Sequence, residues 1–395
     1  MFESRGTLGV LRNQRPGTHG VGGMELFFDL VYVFAIIQLS HFLLHHLSWQ
    51  GAAEAAVLFA AVWWGWNYTA WAMNWLDPQH ASVRVLLAFL MLCALGMAIA
   101  IPESFGERAW LFAGAYIVFQ IVRSAFMVLA FRGQQMGRNY AQLLAWSGIA
   151  SVVWIAGAAA PEEYRLAVWA LAVIVDYMAP LVGFWLPGVG TSDMSTWPLD
   201  EPHLAERSRL LFIIALGESI LILGGVLLEA ELTPAVVTAA VMGFCAIVML
   251  WWLYFSARHG NAYHEAPELE RASHVARAAY AYAHAFMVAG AIVAAVAVEL
   301  VVAHPLENEG WPVALTLTAG PALYLLGNIG FVAAHTGRAP TSRIVALGLL
   351  VLVLPLNAVL INLLAGAVVT LILLGLLLAT VTLRQSSRPA GASTR

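Results

Sequence analysis

The sequence predicts an all-α membrane protein of about twelve spanning helices, and three observations carry that reading. The first is composition. Of 395 residues, 61% are hydrophobic and 11% charged, and the mean hydropathy is +0.79. A soluble domain carries about 25% charged residues. A chain this apolar cannot solubilise its own surface, so lipid is its main solvent. The second is the recurrence of apolar runs of about 20 residues, the length a helix needs to cross a bilayer. The third is that arginine alternates between the ends of those runs, as the positive-inside rule requires.

With Pro, Gly and charge as punctuation, the runs fall at 24–47, 53–76, 82–102, 108–131, 138–160, 164–186, 205–228, 234–257, 272–302, 311–335, 340–360 and 362–383. The last two nearly touch. They form either a tight helical hairpin around 357–362 or one long re-entrant element. The first run is about 24 residues, longer than the roughly 7–15 of a cleavable signal, and no small-residue cleavage site follows. It is expected to stay as a membrane helix.

The charges set the orientation. With the N-terminus inside, sixteen of the nineteen arginines, from Arg5 to Arg395, fall in inside segments. Only Arg108 and Arg165 fall outside, and Arg123 lies within the fourth span. The outside loops instead carry acids, among them Glu103, Glu107, Glu162, Glu229 and Glu307. The expected organisation is a cytoplasmic tail at 1–23, a six-helix half at 24–186 and a cytoplasmic loop at 187–204. A second six-helix half at 205–383 and a cytoplasmic tail at 384–395 follow.

The two halves share weak self-similarity. Residues 33–41 (VFAIIQLSH) resemble 211–219 (LFIIALGES), Trp63-Trp64 parallels Trp251-Trp252, and Arg84 parallels Arg277. An even number of spans keeps two copies in the same orientation, so these are read as parallel six-helix repeats.

Several function classes are set aside. There is no basic run of the nucleic-acid-binding kind. Cys93 and Cys245 fall inside apolar runs, which fits neither a disulfide framework nor a cysteine metal site. His41 and His45 have the spacing of two ligands of one ion, but no glutamate of a metalloprotease motif stands between them. No GxSxG, Walker-type loop or GxGxxG in a strand–helix context occurs. Neither metal nor cofactor is expected, and Gly224-Gly225 are expected to permit close helix packing.

Two segments are specific: residues 25–41 (ELFFDLVYVFAIIQLSH) and 203–219 (HLAERSRLLFIIALGES). Both resemble signature stretches of the bacterial low temperature requirement A family, and the resemblance extends to 251–255 (WWLYF) and the helix of His284. It implies a multi-pass protein of the bacterial inner membrane, in a family named for growth in the cold. It implies no mechanism.

The informative residues are the polar ones inside spans, where a charge costs from about 2.5 to well over 10 kcal/mol. Glu25, Asp29, Tyr32 and Ser40 share one face of the first helix. Arg207 and Glu218 share a face of the seventh, about 16 Å apart. Asp29, Arg123, Asp176, Glu218 and His284 are read as a substrate or ion pathway between the halves. Arg123 is expected to pair with Asp176 or Asp29. Glu25, Arg84, His203, Glu206 and Arg207 form a polar cluster at the cytoplasmic end, reaching interfacial water and capping helices. Trp64, Tyr68, Trp71 and Trp75 form one stripe of the second helix, with Asn67 and Asn74 beside it. Trp64, Asn67, Tyr68, Trp71 and Asn74 read as an aromatic–amide wall or as packing, and Trp75 at the end of the stripe as an interfacial anchor.

The leading functional reading is a transporter or permease for a small solute, with proton coupling through Glu218 or Asp29. The bilayer, the solute and protons are then its only expected partners. The alternatives are a membrane-embedded enzyme acting on a lipid or isoprenoid, using the acids and His284, and a non-catalytic factor in stress adaptation.

Overall fold

The computed structural model describes residues 10–12, 20–197, 199–256 and 269–386. Arg5, Arg15, Arg258, Arg388 and Arg395, which the topology reading places inside, lie outside the described residues. Within them the chain forms helices α1 (Gly23–His45), α2 (Trp49–Ala72), α3 (Ala81–Ala100), α4 (Ala109–Ala130), α5 (Gln135–Ala159), α6 (Glu162–Leu181) and α7 (Glu201–Glu229). There follow α8 (Pro234–Ser256), α9 (Leu269–Ala276), a π-helical turn (Arg277–Ala283), α10 (His284–Ala303), α11 (Trp311–Thr336), α12 (Thr341–Asn357) and α13 (Asn362–Ser386). Each apolar run read from the sequence is helical. The hairpin at 357–362 proves to be a turn between two separate, mutually packed helices.

Among the described residues, ten helices are long and apolar enough to cross a membrane. Their outward faces expose Val85, Leu92, Val152, Val241 and Leu371, as lipid-facing surfaces do. The two remaining segments fall short for different reasons. Helix α12 has only 17 residues. Helix α2 has 24, and misses on hydropathy because tryptophan, asparagine and tyrosine fill it.

The described residues form two compact units, Met1–Leu211 with Pro267–Ala276, and Phe212–Ala266 with Arg277–Arg395. In the first, α2 packs against α1, α4 and α6. Residues 61–72 are buried on every side of the helix, which marks it as the core element of its unit. Ser48 caps its start, accepting from Gly51 N at 3.0 Å. Residues 10–12 pair in antiparallel fashion with the α2–α3 loop: Arg12 N donates to Trp75 O at 2.9 Å, and Asp77 N to Val10 O at 2.8 Å. Trp75 is buried against Tyr140 and Trp197, with ring centroids 6.0 Å away in each case, so it is not the interfacial anchor expected.

In the second unit, α10 and α11 pack most closely. Glycines make the approach possible: a Cβ on Gly290 would lie 2.5 Å from Tyr324 N, and one on Gly327 2.4 Å from Ala283 O. Gly224-Gly225 do not play this part, since a Cβ on either meets nothing within 4 Å. Small residues permit close packing only where another helix lies opposite.

Candidate functional site

Four ionisable side chains meet in the first unit, two from each of two helices. Glu25 and Asp29 stand one turn apart on α1, and His203 and Arg207 one turn apart on α7. All four are 0% exposed. Arg207 takes Asp29 in a two-pronged grip, Nη2 to Oδ1 at 2.6 Å and Nε to Oδ2 at 3.2 Å, and its Nη1 reaches Glu25 Oε1 at 3.2 Å. His203 Nε2 lies 2.9 Å from Glu25 Oε1. A carboxylate only accepts, so Nε2 carries the proton in this contact. Glu25 Oε2 accepts from Arg12 Nη2 at 3.1 Å and from Gly22 N at 2.8 Å. Trp66 Nε1 donates to Asp29 Oδ1 at 2.8 Å. Every carboxylate oxygen is engaged, and two arginines balance two acids. Such saturation suits a lock between α1 and α7.

This arrangement corrects the sequence reading in three respects. Asp29 belongs with Glu25, because the Arg207 fork spans both. The cluster is sealed from water. Arg84 and Glu206 are not in it: Arg84 on α3 donates to Pro78 O at 3.3 Å and to Gln79, both in the preceding loop. Glu206 is half-buried and forms no ion pair among the described residues.

Asp176 on α6 accepts from Tyr116 Oη at 2.8 Å and Trp154 Nε1 at 3.1 Å, both through Oδ2, and Gln120 Nε2 donates to Tyr116 Oη at 2.8 Å. Arg123 is 0% exposed, as expected, but its expected ion pair is absent. No carboxylate of the described residues lies within 4.0 Å of it, because Asp176 is held by Tyr116 and Trp154, and Asp29 by Arg207 and Trp66. Its guanidinium instead lies over the rings of Tyr68 and Phe119, 5.0 and 5.8 Å from their centroids. Its hydrogen bonds are long, 3.4 Å to Gly65 O and 3.5 Å to Ser124 Oγ, and Nε has no partner.

The aromatic stripe of α2 is interior. Trp64 stacks on Tyr177 at 3.9 Å, Tyr68 faces Arg123, and Asn67 and Trp71 are buried. Asn74 accepts from Asp200 N at 2.8 Å and so fixes the start of α7.

Glu218 and His284 belong to the second unit. Glu218 is 4% exposed in the middle third of α7. Its Oε2 and the neighbouring Ser219 Oγ have no hydrogen-bond partner among the described residues. His284 follows the π-helical turn. Its Nδ1 lies 2.9 Å from Ala279 O, which only accepts, so Nδ1 carries the proton. Nε2 lies 2.8 Å from Tyr254 Oη.

Sequence reasoning missed Arg12, Trp66, Tyr116 and Trp154. The last three sit on interior helix faces where aromatic residues read as packing. Arg12 lies in a polar tail whose pairing with 75–77 has no local signal.

The chain is 38% identical over 331 residues to Uncharacterized protein RA0937 of Rhizobium meliloti (strain 1021), covering 82% of this chain and 80% of that protein. No solved structure matches it. The family model described as Bacterial low temperature requirement A protein (LtrA) matches residues 21–378, which include the α1 and α7 motifs and all the buried polar residues above. This multi-pass helical membrane protein therefore belongs to the bacterial low temperature requirement A family.

Proposed function

We propose that the chain is a small-solute transporter of the bacterial inner membrane, in which Glu218 takes up and releases a proton. The observation that carries this reading is the contrast between its buried acids. Glu25 and Asp29 are saturated by partners, whereas Glu218, 4% exposed, keeps Oε2 unbonded among the described residues. An unsatisfied buried acid is a poor structural element and a suitable working one.

The transporter is built from two parallel six-helix repeats, 24–186 and 205–383. The spacing within the α1–α7 cluster supports this. Glu25 pairs with His203 and Asp29 with Arg207, each across 178 residues. The match of 33–41 with 211–219 has the same offset. Equivalent positions of two copies touch each other where the copies meet at a local two-fold axis. The first copy supplies the acids; the bases come from the second copy (Arg207) and from the residue two places before its start (His203).

Both termini are cytoplasmic in this reading, following the arginine distribution. Reporter enzymes fused at Met1 and at Arg395 are expected to show cytoplasmic activity alone. Periplasmic activity at either end rejects the orientation.

The coupling group is tested in proteoliposomes loaded with a pH-sensitive dye and offered a panel of small solutes. Wild-type protein is expected to move protons when a transported solute is added. Glu218→Gln keeps the shape of the side chain and removes the proton. It should reconstitute at the same yield and lose that flux. Full solute-driven proton flux in Glu218→Gln would end the coupling role. Turnover in detergent, with no compartments to separate, would favour an enzyme over a transporter.

A further inference from the structure

We propose that residues 10–12 form a latch over the α1–α7 cluster, released when His203 takes up a proton. The inference concerns a different site from Glu218, goes beyond the transport reading and does not depend on it.

The latch is a short extended segment laid against the α2–α3 loop. Leu11 bridges Leu76 in antiparallel fashion. Two backbone hydrogen bonds flank the bridge, Arg12 N to Trp75 O at 2.9 Å and Asp77 N to Val10 O at 2.8 Å, and Val10 is buried. Among the described residues, its link to the cluster is the ion pair of Arg12 Nη2 with Glu25 Oε2 at 3.1 Å. The two arginines grip differently. Arg207 holds Asp29 with two nitrogens and Glu25 with the third. Arg12 reaches Glu25 with one, and its buried Nη1 has no partner among the described residues. A segment held in this way opens locally before the helices around it do.

The charge balance couples the latch to His203. With the latch closed, two arginines face two acids, and a neutral His203 donates through Nε2 to Glu25. Its Nδ1 is buried without a partner among the described residues, and is the ring atom left to take a proton. Protonated in the closed cluster, His203 would be a third cation against two carboxylates, sealed from water, which is unfavourable. With Arg12 withdrawn, Arg207 alone faces Glu25 and Asp29. His203, already bonded to Glu25, can then supply the missing charge. The open state therefore holds one proton more than the closed state, and falling pH favours opening.

The other charged and titratable groups around the latch have other engagements. Asp77 accepts from Gln79 N, and Asp200 from His203 N. His80 accepts from Ser82 N at the start of α3, and Arg84 donates to Pro78 O. On α7, Glu201 and Glu206 are half-buried and Arg209 is exposed.

The test is hydrogen–deuterium exchange of the purified full chain between about pH 8 and pH 5, the range in which an imidazole changes charge. The reporters are the amides of Arg12 and Asp77, corrected for the intrinsic pH dependence of exchange. Their protection should fall with pH by as much as about tenfold per unit, the limit for one linked proton, while amides of α1 keep theirs. His203→Gln keeps a donor for Glu25 and cannot be protonated. Arg12→Gln removes the cation whose withdrawal the proton offsets. Each should flatten the pH dependence, Arg12→Gln at low protection throughout, and His80→Gln should keep the wild-type slope. Protection in the wild type that does not change with pH overturns the latch, as does a wild-type slope in either His203→Gln or Arg12→Gln. Each of these two variants decides if the other fails to fold. A slope abolished by His80→Gln would assign the proton to His80 and overturn the role of His203.

Discussion

Replacing Arg207 with alanine is expected to leave almost no folded protein in the membrane. The change strips Asp29 of both ends of its two-pronged partner and Glu25 of one of its cations. Both acids are 0% exposed, so water cannot take over the role. Breaking a buried ion pair from one side costs about 3–5 kcal/mol. That is a large part of the 5–15 kcal/mol that holds a typical protein folded. Lysine should not rescue it, because a single ammonium cannot reproduce the fork on Asp29 while reaching Glu25. Removing the acid as well should help: Arg207→Leu with Asp29→Leu leaves Glu25 with Arg12, His203 and the Gly22 amide. The yield of monodisperse protein and its melting temperature in detergent measure both effects. A stable Arg207→Ala single variant would show that the cluster is not a lock.

The sequence reading grouped Glu25, His203 and Arg207 at one end of the bundle by depth, but not Asp29, and it did not give the pairing. Glu25 and Asp29 share a face by spacing, and so do His203 and Arg207. Which helix answers which is a contact across 178 residues, and helical periodicity says nothing about that. Arg123 shows the same limit. Counting residues from the end of a span gives depth, and depth alone placed it with Asp176. The direction of the side chain around α4 turned it toward Tyr68 and Phe119 instead. Helix α2 was read as one aromatic stripe because a stripe is what the eye extracts from Trp64, Tyr68, Trp71 and Trp75. Residues 61–72 of it are buried all round, and Trp63, Trp64, Trp66, Asn67, Tyr68 and Trp71, which lower its hydropathy, lie in that stretch. Hydropathy reports lipid contact well and the centre of a bundle poorly.

Substituting valine for Gly290 is expected to unseat α11 from α10. The new Cβ would stand 2.5 Å from Tyr324 N, 2.7 Å from Gly320 O and 2.9 Å from Tyr324 Cα. All three atoms are backbone, so no rotamer change relieves the overlap, and the helices must separate. The contact is reciprocal: a Cβ on Gly320 would lie 2.8 Å from Ala294 N, on the α10 side. Separation strips packing from Tyr324, which is 0% exposed and 5.8 Å from the Phe212 ring. Overpacking a close-packed interior costs typically 1–3 kcal/mol for added methylenes, about the size of effect that lowers yield and melting temperature together. The matched control is Gly225→Ala, where a Cβ meets nothing within 4 Å. There alanine should raise stability by up to about 1 kcal/mol through helix propensity alone. Melting temperatures in one detergent should therefore rank Gly290→Val below the wild type and Gly225→Ala at or above it. A Gly290→Val protein that melts with the wild type would mean that α10 and α11 do not touch through their backbones.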